Sequence, residues 1–282
     1  MDITFRRAHF HIPGFPRPRE LCYASRTMCT LVLLRRPGHR WPVLIAANRD
    51  EMLNRPWDPP GRHWPDRPDV VAGRDRLAGG SWLGWNAAGV VAAVLNRTDS
   101  LGPAAGKRSR GELVLDALDH DDAADAADAL AAIDPGAYRT FNLVIADNRD
   151  AYWLRSRDGL SPVEALEMPA GLSMLTSANL NDTTNFRIAA YLPRFREAAV
   201  PEPDAGDWSA WRDILSSRET RAEAGPSGAM CIVTDYGYGT ASSSLIALAS
   251  PEAKLQGGAG DIWLFANGCP DGQAFEPVPF PG

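Results

Sequence analysis

Short apolar runs in this sequence come in pairs, and turn residues join the members of each pair. Residues 29–34 form a β-rich run that starts directly after Met28. Arg36-Pro37-Gly38-His39 supplies turn chemistry, and residues 43–47 are the second apolar run, ending in Asn48-Arg49-Asp50-Glu51. Gly79-Gly80-Ser81-Trp82-Leu83-Gly84-Trp85 leads into another pair, turning at Asn86-Ala87-Ala88-Gly89 and returning along 90–95 to Asn96-Arg97. Residues 141–146 and 151–155 pair about Asp147-Asn148-Arg149-Asp150, and single strand-like runs fall at 171–177, 229–234, 242–249 and 262–266. Helical spacing is confined to blocks: 111–133, broken near His120-Asp121, then 185–198 and 208–217. Hairpin-paired strands with grouped helices exclude the βαβα alternation of a parallel sheet. They predict an α+β fold of antiparallel sheets covered by helices. Residues 53–80, rich in Pro, Arg, Asp and Gly, read as a long loop of the kind that covers a site. Its arginines, Arg55, Arg62, Arg67, Arg74 and Arg76, read as solvated charges before an anion site.

Composition narrows the function classes. The chain has 282 residues, 45% hydrophobic and 23% charged, the balance of a soluble globular protein. A formal charge of −6 gives no reason to expect nucleic acid or an anionic membrane as partner. No apolar stretch approaches the ~18–20 residues of a membrane span. Cys22, Cys29, Cys231 and Cys269 form no CxxC pair, and the five histidines are scattered, so no metal site is expected. Four distant thiols without an export signal predict a cytoplasmic protein with reduced cysteines. Residues 28–282 show no repeat and no linker, which predicts one domain.

Residues 1–27 differ from the rest. Arg6, Arg7, Arg17, Arg19 and Arg26 face only Asp2 and Glu20, and Pro13, Pro16 and Pro18 break any helix. No apolar h-region follows Arg6-Arg7, so a signal peptide is a poor reading. Three readings stand: a start placed too early, a propeptide cut before Cys29, or a retained disordered tail. The first two leave Cys29 with a free α-amine.

A terminal cysteine carries a nucleophilic thiol and an α-amine whose ordinary pKa, roughly 7.7–8.0, suits a general base. Such a site needs a carboxylate to hold the amine and donors for an oxyanion. Asp50 ends the strand expected to pair with that of Cys29, with Asn48 and Arg49 beside it. Asn96 ends another strand and offers an amide. Taken alone, each residue has a plainer reading. A cysteine in an apolar strand is most often core, and Asn-Arg-Asp at a strand end is most often turn chemistry.

Met28-Cys29-Thr30-Leu31, Asn48-Arg49-Asp50-Glu51, Gly79-Gly80-Ser81-Trp82-Leu83-Gly84, Asn86-x-x-Gly89 and Phe141-Asn142-Leu143 resemble the motifs of the NRDE family, also called transport and Golgi organisation protein 2, in the family's order. More distantly, Cys29, Asn48-Arg49-Asp50 and residues 86–96 resemble choloylglycine and penicillin V hydrolases. That resemblance implies a four-layer αββα N-terminal-nucleophile sandwich and hydrolysis of a C–N amide bond, with no cofactor. It implies Cys29 as nucleophile, Asp50 holding the amine and Asn96 binding the oxyanion. Asn179 is the nearest match to a further hydrolase asparagine. Where those hydrolases carry an Arg just before Asn48-Arg49, this chain has Ala46-Ala47, and Arg49 is the candidate stand-in. Their late catalytic Arg has no clear match. Gly239-Thr240-Ala241-Ser242 stands where NRDE relatives often have Gly-Thr-Arg-Ser.

Two functions follow as expectations. One is a cysteine hydrolase acting on a small amide or acyl compound, with Asn48, Trp82 and Trp85 contacting substrate. The other is a non-catalytic protein that binds and transfers haem or a lipid or acyl-CoA ligand on the same fold. The family resemblance implies haem trafficking. The chain has nine tryptophans, and several, Trp57, Trp64, Trp82 and Trp85, would stand near its pocket.

Overall fold

A computed structural model of the chain describes residues 29–98, 100–256 and 260–281. The expectations for residues 1–27 and for the Met28 junction lie outside the described residues. The first strands are β1 (Thr30–Arg35) and β2 (Val43–Met52), followed by β3 (Trp57–Gly61), β4 (Val70–Asp75), β5 (Leu83–Asn86) and β6 (Val91–Asn96). Two helices come next, α1 (Gly111–Leu118) and α2 (Ala123–Ala131). The strands resume as β7 (Phe141–Ala146), β8 (Ala151–Ser156), β9 (Glu164–Glu167) and β10 (Gly171–Leu175). After α3 (Phe186–Glu197) and α4 (Ser209–Leu215) the chain closes with β11 (Tyr238–Leu248), α5 (Pro251–Leu255), β12 (Ile262–Ala266) and β13 (Glu276–Pro277).

Two antiparallel sheets result. One has six strands in the order β10-β1-β2-β11-β12-β13; the other has seven, β3 through β9 in sequence. Leu31, Leu33, Val43 and Ile45 of the first sheet meet Trp85, Ala93, Leu95 and Val144 of the second. The outer face of the seven-stranded sheet packs on α1 and α2 through Leu113, Val114, Ala126 and Leu130. The outer face of the six-stranded sheet packs on α3 and α4 through Ile188, Tyr191, Phe195 and Trp211. This is the expected four-layer αββα sandwich. Near-continuous apolar runs in β1 and β7 follow from burial of both strand faces.

Four readings need correction. Residues 53–80 are not a loop: β3 and β4 form the edge of the larger sheet. Pro59 and Pro60 hid β3, and an edge strand tolerates prolines because one side of its backbone has no ladder to complete. The arginines there are largely paired: Arg74 and Arg76 with Asp58, Arg55 with Asp75 at 2.7 Å, Arg67 with Asp119 at 2.8 Å. Second, β2 does not stop before Asn48 but runs through the whole polar tetrapeptide to Met52. Third, residues 229–234 are not a strand; their only ladder pairing with β11 is an isolated bridge, Val233 to Gly239. Fourth, the cysteines are not all free. Cys231 and Cys269, 38 residues apart, are joined in a disulfide with their Cα atoms 6.0 Å apart.

Candidate active site

Continuation of β2 through Asn48-Arg49-Asp50-Glu51 decides the site. Successive side chains of a strand point to opposite faces. Arg49 therefore joins Ala47 and Ile45 on the inter-sheet face, while Asn48 and Asp50 turn toward the helices.

On the inter-sheet face lies Cys29, the only free thiol among the described residues. Thr30 pairs with Asn48, so the same register sets Cys29 opposite Arg49. The Cys29 Sγ sits 3.7 Å from the Asp50 carbonyl oxygen. Around it opens a small pocket, about 20 Å³ in cavity volume, lined by Cys29, Arg49, Trp82, Leu83, Leu95 and Ser242, among others. Burial, and next to it the Asp50 charge, push the thiol up to about 11, against a smaller downward pull from Arg49. Arg110 is a second cation whose charge interacts with Cys29; burial draws its guanidinium down to about 10.

Arg49 is 6% exposed. Its guanidinium lies 4.4 Å from the Trp82 ring centroid and 5.7 Å from that of Trp57. The indoles pack edge to face at 5.4 Å. The closest carboxylate oxygen, Glu51 Oε2, is 3.8 Å from Arg49 Nη2, and Nη1 has no hydrogen-bond partner. A buried donor left unpaired costs on the order of 1–3 kcal/mol, more when charged. Glycines make room for this stack. A side chain at Gly73 on β4 would overlap the Trp82 ring, and one at Gly80 would overlap the Gly111 backbone, against which the Gly80-Ser81 turn is pinned.

The opposite face is closed. Asp50 Oδ2 accepts from Arg187 Nη1 at 2.8 Å, and Oδ1 accepts from the Thr240 hydroxyl at 2.7 Å. The same Nη1 donates to the Thr30 hydroxyl at 2.7 Å, and Nη2 to the Ser227 carbonyl at 2.9 Å. Burial pushes the Asp50 carboxyl above its ordinary range, opposed first by the Arg187 charge. Arg187 is in the first turn of α3, where Asn185 caps the helix by accepting from the Arg187 and Ile188 amides. Thr240 reaches Asp50 because of a β-bulge between Thr240 and Ser242. Strict alternation would put Thr240 and Ser243 on opposite faces. The extra residue, Ala241, brings both hydroxyls to one side, Thr240 to Asp50 and Ser243 to Asn48 Oδ1 at 2.7 Å.

The expected site residues therefore divide. Cys29, Arg49 and Trp82 share one pocket. Asp50 lies beneath it, reaching Cys29 through its backbone carbonyl while its carboxylate faces the helix side. Asn48 does not offer its amide to the pocket: Nδ2 donates to the Leu215 and Met230 carbonyls at 3.0 and 2.9 Å. Trp85 does not reach the pocket either. It is fully buried between the sheets against Trp263 and Phe280, at 5.4 and 5.0 Å. Trp64 packs with the outer-helix cluster, whereas Trp57 stands by Trp82. Asn96 ends β6 one residue past Leu95, in register with Phe141, and is not among the residues that line the pocket. Asn179 belongs to a neighbouring clamp, its Oδ1 accepting from Arg97 at 3.0 Å and Arg155 at 3.3 Å. Asn142 anchors that clamp, donating to the Thr176 and Ala178 carbonyls at 2.9 Å each.

Arg187, Thr240 and Arg110 were not foreseen. Asn185 ahead of an apolar periodic run marks the start of α3, but nothing local says that an arginine two residues later meets Asp50. One group among the described residues has the composition of a metal site: Cys231, Cys269 and Asp271. Its two sulfurs are bonded to each other, and Asp271 pairs with Arg218 at 2.6 Å. No described helix is long and apolar enough to cross a membrane.

Residues 28–254 match the family model described as Transport and Golgi organisation 2. No curated protein sequence matches the chain. Among solved structures, the Caenorhabditis elegans ortholog of N-acylethanolamine-hydrolyzing acid amidase is similar at 12% identity and a TM-score of 0.51, over 80% of this chain and 95% of that one. Penicillin V acylase from Agrobacterium tumefaciens is 14% identical with a TM-score of 0.47, over 85% and 83% of the two chains. A mutant of conjugated bile acid hydrolase from Clostridium perfringens is 12% identical with a TM-score of 0.47, over 89% and 97%. At such identities the likeness is one of fold, that of the N-terminal-nucleophile hydrolases.

Proposed function

The chain belongs to the Transport and Golgi organisation 2 family, and from that footing we propose that it is a cysteine hydrolase of a small amide or acyl compound, with Cys29 as nucleophile. One observation carries the reading. The only free thiol among the described residues stands at the head of β1, in a pocket beside Arg49, with the Asp50 carboxylate secured on the far side of the same strand pair. A thiol held near 11 is almost wholly protonated at neutral pH and needs a base. No histidine lines the pocket. In our reading the base is the α-amine of Cys29 itself, freed by removal of residues 1–28. The amine takes the thiol proton, and the thiolate attacks the carbonyl carbon. The amine then returns the proton to the leaving nitrogen as the C–N bond breaks, and water hydrolyses the thioester.

Intact-mass measurement of the purified protein, followed by peptide mapping after trapping with a thiol-reactive electrophile, tests this. Label on Cys29 in chains that begin at Cys29, and none in Cys29→Ala, is expected. Equal labelling of chains that retain Met28 would sink the mechanism.

A protonated thiol in a pocket walled by Trp82 and leucines also favours a second reading, binding and transfer of haem or an acyl ligand without chemistry. A Soret shift on adding haem that persists in Cys29→Ala supports it. An unchanged spectrum counts against it.

A further inference from the structure

Arg49 is held in place without being satisfied. Trp82 and Trp57 lie 4.4 and 5.7 Å from its guanidinium, yet Nη1 is buried with no hydrogen-bond partner. Glu51 pairs with it only by charge, with no hydrogen bond. Glu51 Oε1 accepts from the Met52 amide at 2.8 Å, and Oε2 is 3.8 Å from Arg49 and 3.7 Å from Arg55, beyond hydrogen-bond range of both. The other pocket side chains offer no anion: Leu31, Leu83 and Leu95 are apolar, and Ser242 and Ser244 carry only hydroxyls. The pocket thus holds a nucleophile, apolar walls and one cation whose Nη1 has no hydrogen-bond acceptor. Buried polar groups are almost always hydrogen-bonded, and an exception at a pocket wall is one that a bound acceptor would complete.

We propose that Arg49 recognises a carboxylate on the substrate, so that the site takes anionic acyl compounds whose carboxylate lies within one side-chain length of the attacked carbonyl. This rests on the reading of Cys29 as nucleophile. The planar guanidinium fork matches a carboxylate through two parallel N–H···O bonds, and the Trp82 ring lies 4.4 Å from it. A bound carboxylate also supplies the acceptor that Nη1 lacks. Arg49 is on the same strand face as Ala47, two residues along.

The test is the rate at which iodoacetate and its neutral analogue iodoacetamide alkylate Cys29, followed by mass spectrometry at one pH. Both reagents need the thiolate, so their rate ratio cancels any effect of Arg49 on thiol ionisation. The iodoacetate-to-iodoacetamide ratio is expected to fall about tenfold to a hundredfold from wild type to Arg49→Gln, and to be partly kept in Arg49→Lys. Equal ratios in wild type and Arg49→Gln would overturn the proposal. If neither reagent labels Cys29, the nucleophile reading fails, and tryptophan emission decides the role of Arg49. Saturable quenching by sodium propionate but not by propionamide, lost in Arg49→Gln, supports carboxylate recognition. The same response to both compounds refutes it. Should Arg49→Gln fail to fold, the propionate and propionamide titrations of the wild-type protein decide alone.

Discussion

Arg187 and Asp50, 137 residues apart, meet at 2.8 Å with side chains only 4% and 0% exposed. The pair ties α3 to β2 directly beneath Cys29. Arg187 also holds Thr30 and the Ser227 carbonyl, so one guanidinium fixes the start of β1, the tetrapeptide strand and the loop ahead of β11.

Removing one partner of a buried pair strands the other charge. Arg187→Met is expected to destabilise the protein by about 3–5 kcal/mol. The double variant Arg187→Met/Asp50→Asn should regain part of that loss, because no uncompensated carboxylate remains. Urea unfolding midpoints of wild type, Arg187→Met, Asp50→Asn and the double variant, at unchanged m-value, check this. A double variant as unstable as the sum of the singles refutes it.

Cys29 reactivity has a pH signature. With the thiol near 11, the thiolate is the minor form at neutrality, and thiolate increases with pH. In protein that retains residue 28, alkylation by iodoacetamide should rise without a plateau through pH 10. In protein beginning at Cys29, the α-amine titrates at roughly 7.7–8.0, and a plateau should set in above that range. Identical profiles for the two forms would exclude the amine as base.

Asn185 caps α3 through two backbone amides, one of them that of Arg187. Asn185→Ala should cost about 1 kcal/mol, a Tm drop of about 2–4 °C for a chain of this size. Asn185→Ser should recover most of it, since a serine oxygen accepts the same bonds.

The Cys231–Cys269 bond closes a long loop and anchors the segment whose Met230 carbonyl holds Asn48. A loop of that length corresponds to about 4 kcal/mol from unfolded-state entropy. Cys269→Ser should lower the urea midpoint accordingly under oxidising conditions. Wild type treated with a reductant should fall to the same midpoint, and a variant indistinguishable from untreated wild type would show that the bond contributes nothing.

Gly73 has no side chain where the Trp82 ring lies across β4. Gly73→Ala is expected to displace the ring from Arg49 and to cost about 1–3 kcal/mol by overpacking. Altered tryptophan emission together with a changed Cys29 alkylation rate checks the displacement. An unchanged rate would mean that the stack does not position Arg49.

Local chemistry by itself determined the pairing of β1 with β2 and of β7 with β8, the break between α1 and α2, and the start of α3 at Asn185. Each rests on residues close in sequence: a turn, a period or a cap. Cys29 at the head of a strand was legible for the same reason. Tertiary structure decided the rest. Packing on both faces carried β2 through Asn48-Arg49-Asp50-Glu51, which sent the Arg49 guanidinium to the pocket and the Asn48 amide to the Leu215 and Met230 carbonyls. The sheet edge admitted β3 despite Pro59 and Pro60. The bulge at Ala241 swung Thr240 onto Asp50, and Arg187 arrived from another layer of the sandwich. Strand parity, register shifts and contacts across more than a hundred residues depend on which surfaces are buried together, and no local window contains that information.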